Sequence, residues 1–194
     1  WLFIGKKNAS HFEIRNTLPG YEFRDSNNFL NRNGLLVGDL YYFVAKNGLT
    51  TVGEFHDSGS VLSGKWVKIK VLDSAKAGKP GYDEWGYKDG FTLRREAKAG
   101  GAFQFSRPED VSTNPMVGTQ AVFSSTGIDV TFPEDAWGTI YQVDLSFASM
   151  SATLTILYDA DERKGSGPDF GIRNPDNLDW SDDGFIYVQE DPAK

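Results

Sequence analysis

The sequence predicts an all-β fold, and three observations support that class. Runs of alternating apolar and polar residues recur along the chain with the period of two that is typical of strands. The 194 residues include 21 glycines and 14% aromatic residues, and long helical patterns are few. The second half of the chain also contains an internal repeat, which indicates that several strands are organised into similar units.

Strands are predicted where the alternation is most regular. The polar stretch 6–33 is predicted as a long loop insertion, and residues 73–102 as an irregular connection. Within that connection, Thr92 is predicted to cap a short helix that ends at Gly100 and Gly101. The seven strand runs are WLFIG (1–5), GDLYYFVAK (38–46), KWVKIKVL (65–72), TQAVFSST (119–126), GTIYQVDLS (138–146), SATLTILYD (151–159) and FIYVQE (185–190).

The repeat relates RPEDVSTNPMVGTQAVFSST to NPDNLDWSDDGFIYVQE. Each copy has a proline, an acid, a second acid or amide, an aliphatic residue, a polar turn and an alternating strand, and Pro108 and Pro175 are 67 residues apart. Four consecutive antiparallel strands joined by short turns form one blade of a β-propeller. The first copy supplies such a set, at about 108–113, 119–126, 138–146 and 151–159.

The sequence therefore predicts part of a β-propeller, about two and a half four-stranded blades with long loop insertions. Within a single domain, 1–194, residues 1–72 end one blade, 103–160 form a full blade and 161–194 begin the next. A β-sandwich is the alternative, because it accounts for the strands without the repeat. The chain starts within a strand and lacks an initiator methionine, so we expect a piece of a larger protein.

Composition narrows the possible ligands. A net charge of −7 and a pI near 4.8 argue against nucleic acid. No apolar run reaches the length of about 18 residues that a membrane span requires. The chain has no cysteine and only two histidines, His11 and His56, for which no partners at useful spacing are evident. Oxygen ligands are therefore expected for any metal, and such ligands favour calcium.

The RPED stretch is the main candidate site. Residues where the innermost strands of a propeller begin lie around its central funnel, so carboxylates there can converge on a cation. Glu109 is predicted as a metal ligand and Arg107 as a bidentate clamp on phosphate. The simpler interpretation is a surface ion pair between these residues, with Pro108 starting a strand.

Four further residues are predicted metal ligands. Asp176 and Asn177 occupy the corresponding position of the second repeat, where an Asx turn is an equal alternative. Glu190 and Asp191, at the far end of the last strand, are further oxygen donors, with solvated charge as the alternative.

Two other acidic stretches resemble calcium loops. Residues 179–190 approach EF-hand spacing, but the alternating FIYVQ favours a hairpin with Gly184 in its turn. Asp159 and Asp161 have calcium-like spacing that Arg163 interrupts, and a solvated loop is predicted there.

The blade openings RPED and NPDNLDWSDDGFIYVQEDP resemble the PhoX-like alkaline phosphatases, a family once defined as a domain of unknown function with phytase-like relatives. WLFIGKK and NGLLVGDLYYFVAKNG are similar to its preceding blade. The resemblance implies a six-bladed propeller with iron and calcium in its funnel, phosphomonoester hydrolysis of a phosphorylated small molecule, and a periplasmic or extracellular location. It also implies that Arg107 contacts phosphate and Glu109 bridges metals. The cysteine that the family places on iron has no counterpart here.

Three functions follow from these observations. The first is a metal-dependent phosphomonoester hydrolase with Arg107 and Glu109 as catalytic residues. The second is a non-catalytic, calcium-stabilised binding or scaffolding propeller, since fold does not imply function. The third is another calcium-dependent propeller hydrolase, such as a lactonase. Open propeller edges also predict association with other chains.

Overall fold

The computed structural model describes residues 3–5, 39–163 and 171–191, and the predicted insertion 6–33 lies outside these ranges. The all-β prediction is confirmed, because strands dominate the described residues. The strands are β1 (Phe3–Gly5), β2 (Leu40–Ala45), β3 (Val61–Ile69), β4 (Pro108–Thr113), β5 (Gln120–Ser125), β6 (Thr139–Ser146), β7 (Ser151–Asp159), β8 (Pro175–Trp180) and β9 (Ile186–Glu190).

Seven strands form one sheet in the order β1-β2-β3-β7-β6-β5-β4, and β8 and β9 form a separate hairpin. Strands β4 to β7 pair antiparallel in sequence order, as the repeat predicts. The strands assigned to the preceding blade are joined to this set in the same sheet, because β3 pairs with β7. The division into separate blades therefore stays a prediction.

Strand β3 begins four residues before its predicted start at residue 65. Its first half, Val61–Lys65, pairs with β7, and its second half pairs with β2. The early residues are strand because of this pairing with a segment about 90 residues away, which no local pattern encodes.

An aromatic cluster fills the core on one face of the sheet. Phe123 and Tyr141 are cross-strand partners on β5 and β6, and their rings stack with centroids 4.9 Å apart. Phe105 packs edge-on against both rings, at 5.2 Å and 5.4 Å. Strand β5 is buried on its other face as well, where Val122 packs with Leu178 of β8.

Helix α1 (Gly90–Ala99) lies in the connection that was predicted to contain a short helix. The prediction that Thr92 caps it is wrong. The carboxylate of Asp89 accepts a hydrogen bond from the Thr92 backbone N–H at 2.7 Å, so Asp89 is the N-cap. The predicted end is confirmed: Gly100 is the C-cap, and Gly101 has a left-handed φ of +80°.

The sequence repeat is also a structural repeat. Arg107 and Asn174 both have left-handed backbones, with φ of +61° and +45°, directly before the prolines that start β4 and β8. A shift of register follows each of these prolines in its strand pair. The hairpin predicted around Gly184 is confirmed, because β8 and β9 are antiparallel and Gly184 has a φ of +89°.

Strand β8 packs beside β4 and β5 and is held there by side chains that bond its backbone. The Leu178 N–H donates to Asp110 Oδ2 at 2.9 Å, and the Trp180 N–H donates to Ser112 Oγ at 3.0 Å. The hydroxyls of Ser124 and Thr126 donate to the Asp176 and Pro175 carbonyls. The first strands of the two repeats are therefore fixed beside each other.

Candidate functional site

The candidate residues lie at one end of the seven-stranded sheet. Cross-strand pairs join Pro108 to Ser125, Ser125 to Thr139 and Thr139 to Asp159. The start of β4 and the end of β7 therefore lie at the same end of the sheet, three strand spacings or roughly 14 Å apart. Two groups of side chains lie at this end. We call them the arginine group (Arg107, Glu109 and Asp191) and the histidine group (His56, Asp57 and Asp159).

The arginine group joins the two repeats. Arg107 Nη2 lies 3.2 Å from Glu109 Oε1 and 3.9 Å from Asp191 Oδ2. Asp191 reaches this position because its N–H donates to the Asn174 carbonyl at 3.0 Å, which brings the end of β9 beside the start of β8. Asp191, which the sequence nominated separately, is thus brought to the Arg107 and Glu109 of the RPED stretch.

The other nominated ligands lie on the hairpin. Asn177 Nδ2 donates to Asp176 Oδ2 at 3.2 Å, and the Glu190 carboxylate accepts the backbone N–H of Arg173. Strand β8 starts at Pro175, whose cross-strand partner is Glu190. One oxygen of Asp176 and one of Glu190 therefore accept hydrogen bonds in or next to the hairpin. Their roles as metal ligands stay predictions.

The chemistry open to the arginine group follows from its charges. A guanidinium between two exposed carboxylates is held weakly, because solvent screens such pairs. The simpler interpretation of RPED is also visible, since Arg107 and Glu109 are paired and Pro108 starts β4. A cation bound by Glu109 and Asp191 would compete with Arg107 for them and leave the guanidinium fork to a phosphate group.

The histidine group brings together two distant segments. His56 Nδ1 lies 3.3 Å from Asp57 Oδ1, and the Asp57 N–H donates to Asp159 Oδ2 at 2.8 Å. One ligand atom from each residue lies within 4.8 Å of the other two, so this group could hold a metal ion. The expectation that His56 lacks a partner is therefore wrong. Asp159 is about 100 residues away in sequence, so local spacing carries no sign of it.

Neighbouring polar contacts hold these segments in place. The Ser58 N–H donates to Glu162 Oε1 at 2.6 Å, and the Ser58 hydroxyl donates to Glu162 Oε2 at 3.0 Å. Asp159 Oδ1 accepts the Asp161 N–H at 2.9 Å. Asp161 in turn accepts the Trp137 N–H at 2.8 Å. The stretch that was predicted to be a solvated loop therefore contributes ordered acceptors as far as Glu162, and residues 164–170 lie outside the described ranges.

Asp135 adds a buried carboxyl group at the same end of the sheet. It is 3% exposed, its Oδ1 accepts the Thr139 hydroxyl at 2.9 Å, and its Oδ2 has no hydrogen-bond partner. Burial raises its pKa to about 8, with smaller increases from the charges of Asp161 and Asp159. Burial also raises the pKa of Asp159, although two backbone N–H groups lower it. Sequence reasoning missed Asp135, which lies in the irregular stretch FPEDAW.

These features define an all-β protein that presents a guanidinium and clustered carboxylates at one end of its sheet. The profile of the family described as Alkaline phosphatase PhoX matches residues 25–194, and the chain belongs to that family. The match includes both repeats and confirms the resemblance of the blade openings. Searches of curated proteins and of solved structures found no match. In the described ranges, no helix has the length and apolar character needed to cross a membrane.

Proposed function

We propose that this chain is part of a metal-dependent phosphomonoester hydrolase whose active site includes the arginine group. Family membership supports hydrolysis of a phosphorylated substrate. One observation carries the assignment to these residues: a single guanidinium lies within 3.9 Å of a carboxylate of the first repeat and of Asp191, the residue that follows the second repeat. Metal-dependent phosphoryl transfer uses metal-binding carboxylates together with cationic groups that contact the phosphoryl oxygens.

We propose a propeller as the wider architecture. The two copies of the repeat, which are 67 residues apart, share three features: a residue with a left-handed backbone, a proline directly after it that starts a strand, and a register shift after that proline. Strands β4 and β8, the equivalent first strands, lie side by side and contact through side chains. Neighbouring inner strands have this relation around a propeller channel. The pairing of β3 with β7 differs from a simple propeller, in which each four-stranded blade is a separate sheet.

Each residue of the arginine group has a proposed role. Glu109 and Asp191 would hold a cation, with Asp176, Asn177 and Glu190 supplying further oxygens. An all-oxygen set of this kind favours calcium, and family resemblance adds iron as a second ion. A bound cation supplies Lewis acidity toward the phosphoryl oxygens and makes a water molecule more acidic. Arg107 would then grip two non-bridging oxygens and orient the phosphate.

Hydrolysis of p-nitrophenyl phosphate by the intact protein tests this proposal. The protein is stripped with chelator and assayed again with calcium, iron or both. Metal should restore activity, and Glu109→Gln should lower kcat by about 100-fold or more, as loss of one key electrostatic group does.

Arg107→Lys keeps the charge but loses the planar fork, so kcat/KM should fall. Glu84→Gln, at an exposed position, is the matched control. Full activity in Glu109→Gln would remove Glu109 from the mechanism.

A calcium-stabilised binding module is the second candidate. The observation that favours it is the pairing of Arg107 with both carboxylates of the arginine group, because a guanidinium bound in this way is not free to contact a phosphate. Calcium would then raise the melting temperature of the folded protein, and no phosphomonoester would be cleaved with any metal. The same chelation series therefore separates the two functions.

A further inference from the structure

We propose that His56, Asp57 and Asp159 bind one divalent transition-metal ion at a site separate from the arginine group. The site would join the turn before β3 to the end of β7. This inference does not depend on the proposed phosphatase activity, because its readout is metal binding at residues outside the arginine group.

The three ligand atoms are close enough to share an ion. Ligands about 2.0–2.2 Å from a metal lie roughly 3–4.4 Å from each other, and these atoms lie within 4.8 Å of one another. Asp159 is fixed, because it is 2% exposed and accepts two backbone N–H groups. His56 and Asp57 have side chains that are 45% and 70% exposed, so they can rotate to complete the site.

The ligand types select the class of metal. Calcium is bound almost wholly by oxygen, whereas an imidazole nitrogen with two carboxylates suits zinc, manganese, iron or cobalt. Three protein ligands leave room for water on such an ion. The sequence expectation of oxygen ligands alone does not apply here, because His56 and its neighbour Asp57 meet Asp159 only in the fold.

A second observation indicates that a cation would be favourable at this place. Asp135 is buried, and its Oδ2 lacks a partner. Its Oδ1 is bound by Thr139, the cross-strand partner of Asp159, and side chains of such a pair leave the same face of a sheet. The orphaned carboxyl group therefore lies on the side from which Asp159 projects. A nearby cation would reduce the cost of these buried carboxylates.

The position of the site indicates what an ion would do. Segment 56–59 is tied to the end of β7 through the acceptors Asp159 and Glu162. This segment leads into β3. The first half of β3 pairs with β7 and so joins strands β1 to β3 to strands β4 to β7 in one sheet. An ion held from both sides would cross-link this junction, and its binding energy would add to the stability of the fold.

Cobalt binding by the intact, chelator-treated protein tests the proposal. Titration is followed by calorimetry and by the visible absorption of cobalt, which reports the coordination number and geometry of the bound ion. It is performed in the Glu109→Gln background so that the arginine group contributes less. We expect one equivalent that disappears in His56→Ala and in Asp57→Asn, and a rise in melting temperature that is lost with it.

The variants are chosen to keep the protein folded, because His56 and Asp57 are exposed. Asp182→Asn, which removes an exposed carboxylate in the β8–β9 turn, is the matched control and should bind like the parent. Equal cobalt binding in the parent and in His56→Ala would overturn the proposal. The proposal would also be overturned if the Glu109→Gln protein with His56 intact failed to bind the expected single equivalent of cobalt. Neither result bears on phosphatase activity, which is measured separately.

Discussion

At Asp135, a carboxyl group is buried with Oδ2 unpaired, and its pKa is raised from 3.8 to about 8. The unfolded chain releases this proton near pH 4, whereas the folded protein keeps it until about pH 8. Between these values the folded state binds more protons than the unfolded state, so the free energy of unfolding falls as pH rises. The contribution of protonated Asp135 to the free energy of unfolding is complete below pH 3.8 and is lost once the pH passes about 8.

We therefore predict that Asp135→Asn makes stability less dependent on pH. Asparagine keeps the size of the side chain and does not ionise, so the variant should gain stability relative to the parent as pH rises. At about 1.4 kcal/mol for each pKa unit, the gain near pH 8 is on the order of a few kcal/mol. Urea unfolding at pH 5, 7 and 9 with chelator present measures it. Asp129→Asn, at an exposed position, is the control, and parallel pH profiles for Asp135→Asn and the parent would contradict the prediction.

At the scale of elements, the contact between β4 and β8 decides whether the two repeats present their acids together. Asp110 Oδ2 accepts the Leu178 N–H, and Ser112 Oγ accepts the Trp180 N–H. Among the residues that the structure describes, the β8–β9 hairpin forms no backbone ladder with the larger sheet, so side-chain hydrogen bonds such as these and apolar packing hold it in position. Asp191 follows that hairpin and reaches Arg107 only if the hairpin is docked.

We predict that Asp110→Ala loosens the hairpin. The buried Leu178 N–H loses its acceptor, which costs about 1–3 kcal/mol. Amide exchange at Leu178 and Trp180 should accelerate. If the proposed phosphatase activity holds, kcat/KM of the intact protein should fall because Asp191 shifts relative to Arg107. Asp182→Ala, in the exposed turn of the same hairpin, should change neither quantity. Unchanged exchange at Leu178 in Asp110→Ala would show that packing alone holds the hairpin.

For the molecule as a whole, β9 is an open strand edge within the described residues. It belongs to a two-stranded sheet, and Phe185 and Tyr187 beside its turn are 66% and 57% exposed. Unpaired edge groups with nearby apolar side chains form a template for another strand. The association that the sequence suggested is therefore expected to involve this hairpin.

We predict concentration-dependent self-association of the 194-residue chain that Tyr187→Lys weakens. A lysine on an edge strand opposes pairing because its charge must remain solvated. Sedimentation velocity across a hundredfold range of concentration gives the oligomeric state. Tyr87→Lys, an exposed tyrosine outside the hairpin, is the control. A monomer at every concentration, or equal weakening by both variants, would contradict the role of β9.

Local patterns were sufficient for the parts of the fold that depend on neighbouring residues. Alternation located the strands β5 to β7 and the repeat added β4, and their order in the sheet follows because short turns join consecutive antiparallel strands. The repeat around Pro108 and Pro175 predicted matching strand starts, and the RPED motif nominated Arg107 and Glu109 together, whereas the approach of Asp191 to Arg107 is seen only in the fold. The cap of α1 was misassigned because Asp89 and Thr92 both have suitable side chains, and the choice depends on their backbone geometry.

The sequence by itself determined most of the strands, the repeat, the resemblance to the family and the arginine at the opening of the repeat. Each of these depends on the order of residues along the chain, as a period, a motif or a motif that recurs. Only the tertiary structure decided that β3 pairs with β7 and that His56 meets Asp159. It also decided that Asp135 is buried with an unpaired oxygen. The physical reason is that these contacts join segments separated by tens of residues, and their energies depend on burial and distance, which exist only once the chain has folded.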